Sequence, residues 1–193
     1  MRTTALLSTI VLLLLACAGK TPVTTRYLLP ASVPQGTQRV DAPVWVALGR
    51  IQVAPYLNQA GLVVETDAHQ VRPARYHKWA EPLGDGLRRF LSTEVSAALG
   101  YDVAADTSQR GSWDYSIDVS IDRLHGTLSG DAVLVARWQL RPAPGKGEAV
   151  AFRFAQSEPL PREGYAGLVE AEIALVRQLA NGMADSLRQV AGR

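Results

Sequence analysis

Residues 113–126 read WDYSIDVSIDRLHG, and no other stretch limits the fold so tightly. Tyr115, Ile117, Val119 and Ile121 take alternate positions, and Asp114, Ser116, Asp118, Ser120 and Asp122 take the positions between. Successive side chains of a strand point to opposite faces. The pattern therefore predicts a half-buried strand, apolar on one side and polar on the other. A strand of that kind needs partners in a sheet and a second layer over its apolar face. Partners follow at once. DAVLVARWQL at 131–140 has Leu134, Ala136, Trp138 and Leu140 in phase, and AVAFRFAQS at 149–157 has Val150, Phe152 and Phe154 in phase. The joining segments GTLSGD and PAPGKGE are turn-forming, so the three strands make an antiparallel meander.

More β-rich sequence precedes it. In VWVALGRIQVAPYL, Val44, Val46 and Leu48 share a phase that Ile51 and Val53 oppose. The slip at Gly49–Arg50 predicts a β-bulge. GLVVET and QVRPARY form a hairpin through Asp67, Ala68 and His69, and Pro73 confines the second strand to an edge or a short length.

Two helices supply the covering layer. Leu83, Leu87, Phe90, Leu91, Val95, Ala98 and Leu99 lie on one face of a helix over 82–99, with Pro82 in its first turn and Gly100 just past its end. Leu168, Leu175, Val176, Leu179, Met183, Leu187 and Val190 form the stripe of a second helix over 165–190, which Gly182 weakens by about 1 kcal/mol relative to Ala. The expected fold class is α+β, an antiparallel or mixed β-sheet with two main helices packed on it. It is one domain, residues 44–193, following a lipidated tether.

That tether is read from the opposite end. The dense apolar run in residues 5–16 is about 12 residues long, short of the roughly 20 a spanning helix needs, and Arg2 precedes it. This is the make-up of a cleaved signal peptide. Leu14-Leu15-Ala16-Cys17 resembles a bacterial lipobox, which implies cleavage after Ala16, diacylglycerol on the Cys17 sulfur and an acyl chain on the new amino group. One chain alone binds a bilayer marginally, at about 0.8 kcal/mol per methylene; the thioether-linked and N-linked chains together exceed that. Residues 1–16 are thus expected to be a lipoprotein signal peptide. Residues 17–43, with Pro22, Pro30, Pro34 and Pro43, are expected to be the lipidated cysteine and a flexible tether, in which RYLLP is an apolar island able to form a short edge strand. Ala18 rather than Asp follows the cysteine, which by analogy with enterobacterial sorting favours the periplasmic face of the outer membrane.

Cys17 is the only cysteine, so once it is acylated no disulfide or thiol chemistry remains and the fold rests on its core. A mature chain of about 177 residues buries roughly 70% of its unfolded surface, enough for a domain without staples. The formal charge of +2 is spread along the chain and gives no case for nucleic acid.

No enzyme signature is present. The row Asp114, Asp118 and Asp122 fails as a calcium site because a straight strand sets alternate residues about 7 Å apart. His69, His77 and His125 match no zinc spacing and read as surface or strand-end residues. No nucleophile elbow or phosphate loop occurs, and Glu158 and Glu163 flank a proline turn as a possible carboxylate pair. No metal or cofactor is expected beyond the covalent acyl groups.

The remaining motifs assemble in order: the lipobox, YLL, IQVAPYLNQAGLVVET, WAEPLGDGLRRFLSTEVSAAL, the meander, and GYAGLVEAEIALVRQLANGMADSL. This set resembles the PqiC-like auxiliary lipoproteins of MCE-type ABC transport systems. Pro55-Tyr56-Leu57, Trp79-Ala80-x-Pro82-Leu83 and Gly164-Tyr165 are the elements that carry the likeness. The resemblance implies a non-enzymatic part of a lipid-trafficking machine at the outer membrane, an MCE-domain protein as partner, and a homo-oligomeric ring that docks the MCE tube. On that basis the expected partner interface is Tyr56, Leu57, Trp79, Pro82, Leu83 and Tyr165. The alternative from a different class is a stand-alone envelope assembly or structural lipoprotein supporting an outer-membrane protein. A lipid-leashed hydrolase would need a Ser/His/Asp or metal cluster that the spacings do not offer.

Overall fold

The computed structural model describes residues 22–30, 44–108 and 113–192. Ala16, Cys17 and the signal peptide lie outside the described residues. Of the tether, only 22–30 is described.

Seven strands form one sheet: β1 (Thr25–Tyr27), β2 (Val46–Val53), β3 (Gly61–Asp67), β4 (Gln70–Trp79), β5 (Tyr115–Gly126), β6 (Asp131–Pro142) and β7 (Val150–Pro159). Among the described residues two α-helices accompany them, α1 (Leu83–Leu99) and α2 (Gly164–Ala191). The strand order is β1-β4-β3-β5-β6-β7, with β2 also on β5. The alternating segment is the centre of this arrangement. β6 runs antiparallel along its whole length, from Tyr115↔Pro142 to Gly126↔Ala132. Its other side is shared. β2 pairs with its first half in parallel, Val46↔Tyr115 through Val53↔Ile121, and β3 touches its end at Val64↔Gly126. The meander is as expected from the sequence. The parallel pairing is what periodicity leaves open, because it depends on where the chain returns after the β3–β4 hairpin and α1, a connection long enough for a parallel crossover.

The bulge expected at Gly49–Arg50 is present as a register shift between Leu48 and Ile51. A Cβ at Gly49 would collide with the Asp118 carboxylate, and the Arg50 N–H donates to Asp118 Oδ1 at 2.8 Å. The extra residue thus aims a backbone donor at the polar row of β5. The hairpin turns at Ala68–His69, with His69 at a φ of 66°. Pro73 does not shorten β4. The strand is ten residues long and lies between β3 and β1. β1 pairs with His77–Trp79, so the missing N–H of Pro73 falls where one side of β4 has no strand partner among the described residues.

α1 starts one residue later than the sequence pattern places it. Pro82 is the N-cap, extended at a ψ of 128°, and Asp85 stands in the first turn, where the helix dipole favours an acid. Gly100 closes α1 in the left-handed conformation at a φ of 81°, which a Cβ would oppose. α2 has 28 residues, about 42 Å. The core joins the apolar phase of β5 and β6 to both helix stripes, with Ile117, Ile121, Leu134, Leu140, Leu87, Leu175 and Leu179 fully buried. Trp138 fixes the joint. It stacks on Phe152 at 5.4 Å between ring centroids and donates its Nε1–H to Ser186 Oγ at 3.0 Å.

Candidate functional site

The motifs singled out in the sequence converge on one corner. The residues just after the Pro55–Leu57 turn, the end of β4, the start of α1 and β1 meet around a cleft of about 500 Å³, lined by Arg26, Asn58, Gln59, Ala60, Trp79, Ala80, Glu81, Pro82, Leu83, Gly84 and Asp85. Backbone bonds close the corner. The Trp79 N–H donates to Ala60 O at 2.7 Å and the Ala80 N–H to Tyr27 O at 2.8 Å. The island RYLLP therefore sits on the domain. Tyr27 pairs with Trp79, and Leu29 is buried.

The expected interface residues divide by burial. Leu57, Trp79 and Leu83 are core residues, each 6% exposed or less. Pro82 is exposed. Tyr56 and Tyr165 are half-buried. Trp79 is thus a core anchor of the corner, because the β1 pairing and the helix start close over it.

Tyr165 joins an aromatic column. His77 stacks on Tyr165 at 4.2 Å between centroids, and Tyr27 lies 6.0 Å from it, with Tyr27 Oη 2.9 Å from His77 Nδ1. Three chain segments distant in sequence are tied there. Tyr56 reaches inward, its hydroxyl accepting the Leu124 N–H at 3.4 Å, and burial raises its pKa. Beside it His125 is buried at the end of β5, where the sequence had placed it among surface or strand-end histidines. Its Nδ1 lies 3.2 Å from Gly126 O and 4.0 Å from Glu65 Oε1.

Glu172 was not singled out by sequence reasoning. It sits on the apolar stripe of α2 one turn after Leu168. Its side chain is buried, Oε2 has no hydrogen-bond partner among the described residues, and desolvation pushes its pKa up to about 8. The signal was the spacing itself, an acid four residues after a stripe leucine.

The opposite face of the sheet carries the second candidate surface. Each aspartate of the row has a cation. Asp114 meets Lys146 at 2.9 Å, Asp118 meets Arg141 at 2.7 Å and Asp122 meets Arg137 at 2.8 Å. Asp114 also accepts the Trp45 N–H, and that bond, with Lys146, holds its carboxyl below the usual range. Arg137 does the same for Asp122. Across this face runs an open trough of about 1040 Å³. Five arginines (Arg50, Arg88, Arg137, Arg141 and Arg153) face two aspartates, Asp106 and Asp118, in its lining. Arg88 is spent on the carbonyls of Gly49 and Ala105. Arg50 and Arg153 have no acidic partner among the described residues, so the trough carries a positive surplus. The signal for it was legible as Arg137-x-x-x-Arg141 on the phase opposite Trp138.

Other candidates disperse. Glu158 accepts from Gln178 at 3.0 Å, and Glu163 occupies the N-cap position of α2 without a side-chain capping bond. Among the described residues no three His, Cys, Asp or Glu side chains are placed to hold a metal, and no helix is long and apolar enough to cross a membrane.

The sequence matches the family described as "ABC-type transport auxiliary lipoprotein component" over residues 27–184, from the end of β1 into α2. It is 25% identical over 189 residues to the intermembrane transport lipoprotein PqiC of Escherichia coli, and equally to that of Shigella flexneri, covering 95% of this chain and 97% of each relative. Among solved structures, the fold is similar to an uncharacterized protein with a TM-score of 0.74 at 23% identity, covering 86% of this chain and 99% of the other. It is also similar to a Xanthomonas campestris protein with a TM-score of 0.63 at 16% identity, covering 83% and 93%.

Proposed function

The chain belongs to the family of ABC-type transport auxiliary lipoprotein components, and on that premise we propose that it is the lipid-anchored, non-catalytic docking part of an MCE-type intermembrane lipid transport system. The observation that carries the reading is coverage: the family match runs through nearly the whole folded body, and relatives named for intermembrane transport align over 95% of the chain.

In this reading acylated Cys17 holds the protein to the periplasmic face of the outer membrane. Tethering raises the effective concentration of the domain near an arriving MCE ring, so weak contacts suffice. Leu57, Trp79 and Leu83 act from inside, shaping the corner whose cleft Pro82 lines, while Tyr56 and Tyr165 stay half-buried outside that cleft. The surface best suited to a partner is the arginine-rich trough. It is open, its charge surplus selects acidic side chains, and oppositely charged surfaces speed encounter.

Photocrosslinking in intact cells tests this. Photoreactive residues replace Arg153 in the trough and Pro82 at the corner, and captured proteins are identified by mass spectrometry. An MCE-domain protein captured from position 153 is the expected result. Capture from position 82 alone would move docking to the corner. An outer-membrane barrel or its assembly factors, with no MCE protein from either site, would replace this reading with a stand-alone assembly role. Cys17→Ser is expected to release the protein from membranes while leaving its unfolding transition unchanged; a variant still sedimenting with membranes would contradict the anchor.

A further inference from the structure

The tether read from the sequence runs to residue 43, but the structure seats the chain on the domain well before that. Thr25, Arg26 and Tyr27 pair with His77, Lys78 and Trp79. Tyr27 is held by His77, and Leu29 is buried. The leash between Cys17 and the sheet is therefore only the eight residues to Thr25. Fully extended it spans at most about 28 Å, and relaxed about 16 Å.

We propose that the β1 corner is the membrane-facing side of the domain, with Val23, Arg26, Leu28 and Lys78 resting against the phospholipid leaflet that holds the Cys17 acyl chains. The proposal rests on the anchoring put forward above. The leash supplies the first reason. β7, at the other edge, is five strand positions from β1, about 24 Å at the usual strand spacing. Turning β7 to the bilayer would draw the leash nearly taut, whereas turning β1 to it leaves the leash relaxed. Surface chemistry supplies the second. Val23 and Leu28, 85% and 58% exposed, flank β1 on either side. Arg26 and Lys78, register partners on the adjacent strands, put two positive charges beside them. Exposed apolar side chains next to cations are the combination that settles in an anionic bilayer interface. The consequence is an orientation. The trough and the β7 edge lie toward the far side, open to a partner approaching from the periplasm.

The experiment uses full-length lipidated protein, in which acylation leaves no native thiol. Leu28→Cys and Val150→Cys, both at exposed positions, are labelled with an environment-sensitive fluorophore. They are reconstituted in phosphatidylethanolamine–phosphatidylglycerol vesicles whose acyl chains carry a nitroxide quencher. Quenching about threefold or more stronger at position 28 than at 150 is expected for an interfacial site. Equal quenching, or stronger quenching at 150, in protein that floats with the vesicles overturns the orientation and leaves the anchor intact. Protein that does not float, with an unmodified Cys17 by intact mass, overturns the anchor and the orientation with it; the mass measurement separates the two failures.

Discussion

On one face of the central sheet Ile117, Val119 and Ile121 of β5 are packed into the core that α1 and α2 complete; on the other, their chain neighbours Asp114, Asp118 and Asp122 each meet a lysine or arginine in the open. The same strand builds both. The covered face draws on burial, at about 25 cal/mol per Å² of apolar area removed from water. The open face is held by ion pairs that solvent screens, each contributing about 0–1 kcal/mol. Stability therefore resides in the helix side, and the polar side is left chemically free to bind. Asp114 and Asp118 do more than pair with a cation, since they also accept the Trp45 and Arg50 backbone N–H groups, the latter in the bulge of β2.

Glu172 is the place where the covered face departs from its own rule, and breaking it gives the largest expected effect. Its folded pKa of about 8 lies above the ordinary glutamate value, so the folded state keeps a proton that the unfolded chain releases. With fewer protons bound in the unfolded state, stability falls as pH rises from about 4.5 to about 8 and then levels. The total is roughly 5 kcal/mol from this group. Urea unfolding across that window should show the slope, and Glu172→Gln should flatten it and stabilise the protein at the alkaline end. A slope that survives the substitution would assign it elsewhere.

Leu134→Ala, at a fully buried β6 position, should cost about 2–5 kcal/mol. On the open face of the same sheet, Asp118→Ala should cost about 1 kcal/mol, through the lost Arg50 N–H and Arg141 contacts. Asp122→Ala should cost less, because it loses only a surface pair with Arg137 and a bond from Ser120. The order Leu134, Asp118, Asp122 in denaturant midpoints is the comparison in measurable form, and a reversal of the first two would undo it. The smallest effect is a gain. A Cβ at Gly182 would meet Trp138 at 3.7 Å, ordinary contact, so Gly182→Ala should add about 0.5–1 kcal/mol by helix propensity. A loss would mean that Trp138 needs that gap.

How much of this was readable beforehand follows the range of the interaction. The strand phase of β5, the β2 bulge, the hairpin turn, the span of α1 within one residue and the stripe of α2 all depend on neighbours a few positions apart, where periodicity and turn chemistry act. Trp79 marked the right corner, and its cover comes from β1 and α1 together. His125 reads from sequence as a strand end and is one, yet Tyr56, 69 residues earlier in the chain, packs against it and it is buried.

What the sequence determined by itself is local and covalent: which residues alternate, which lie on a helix stripe, that one cysteine sits behind a lipobox-like tripeptide, and that Thr25 follows it by eight positions. What only the tertiary structure decided is register and neighbourhood. β2 and β1 run parallel to strands 69 and 52 residues further on, Val46 beside Tyr115 and Thr25 beside His77. The arginines of three separate strands and one helix share a trough. A glutamate on the α2 stripe is left with no hydrogen-bond partner for Oε2 among the described residues when the core closes. Each of these is set by packing between distant segments, whose free energy belongs to the assembled core and to no single stretch of chain.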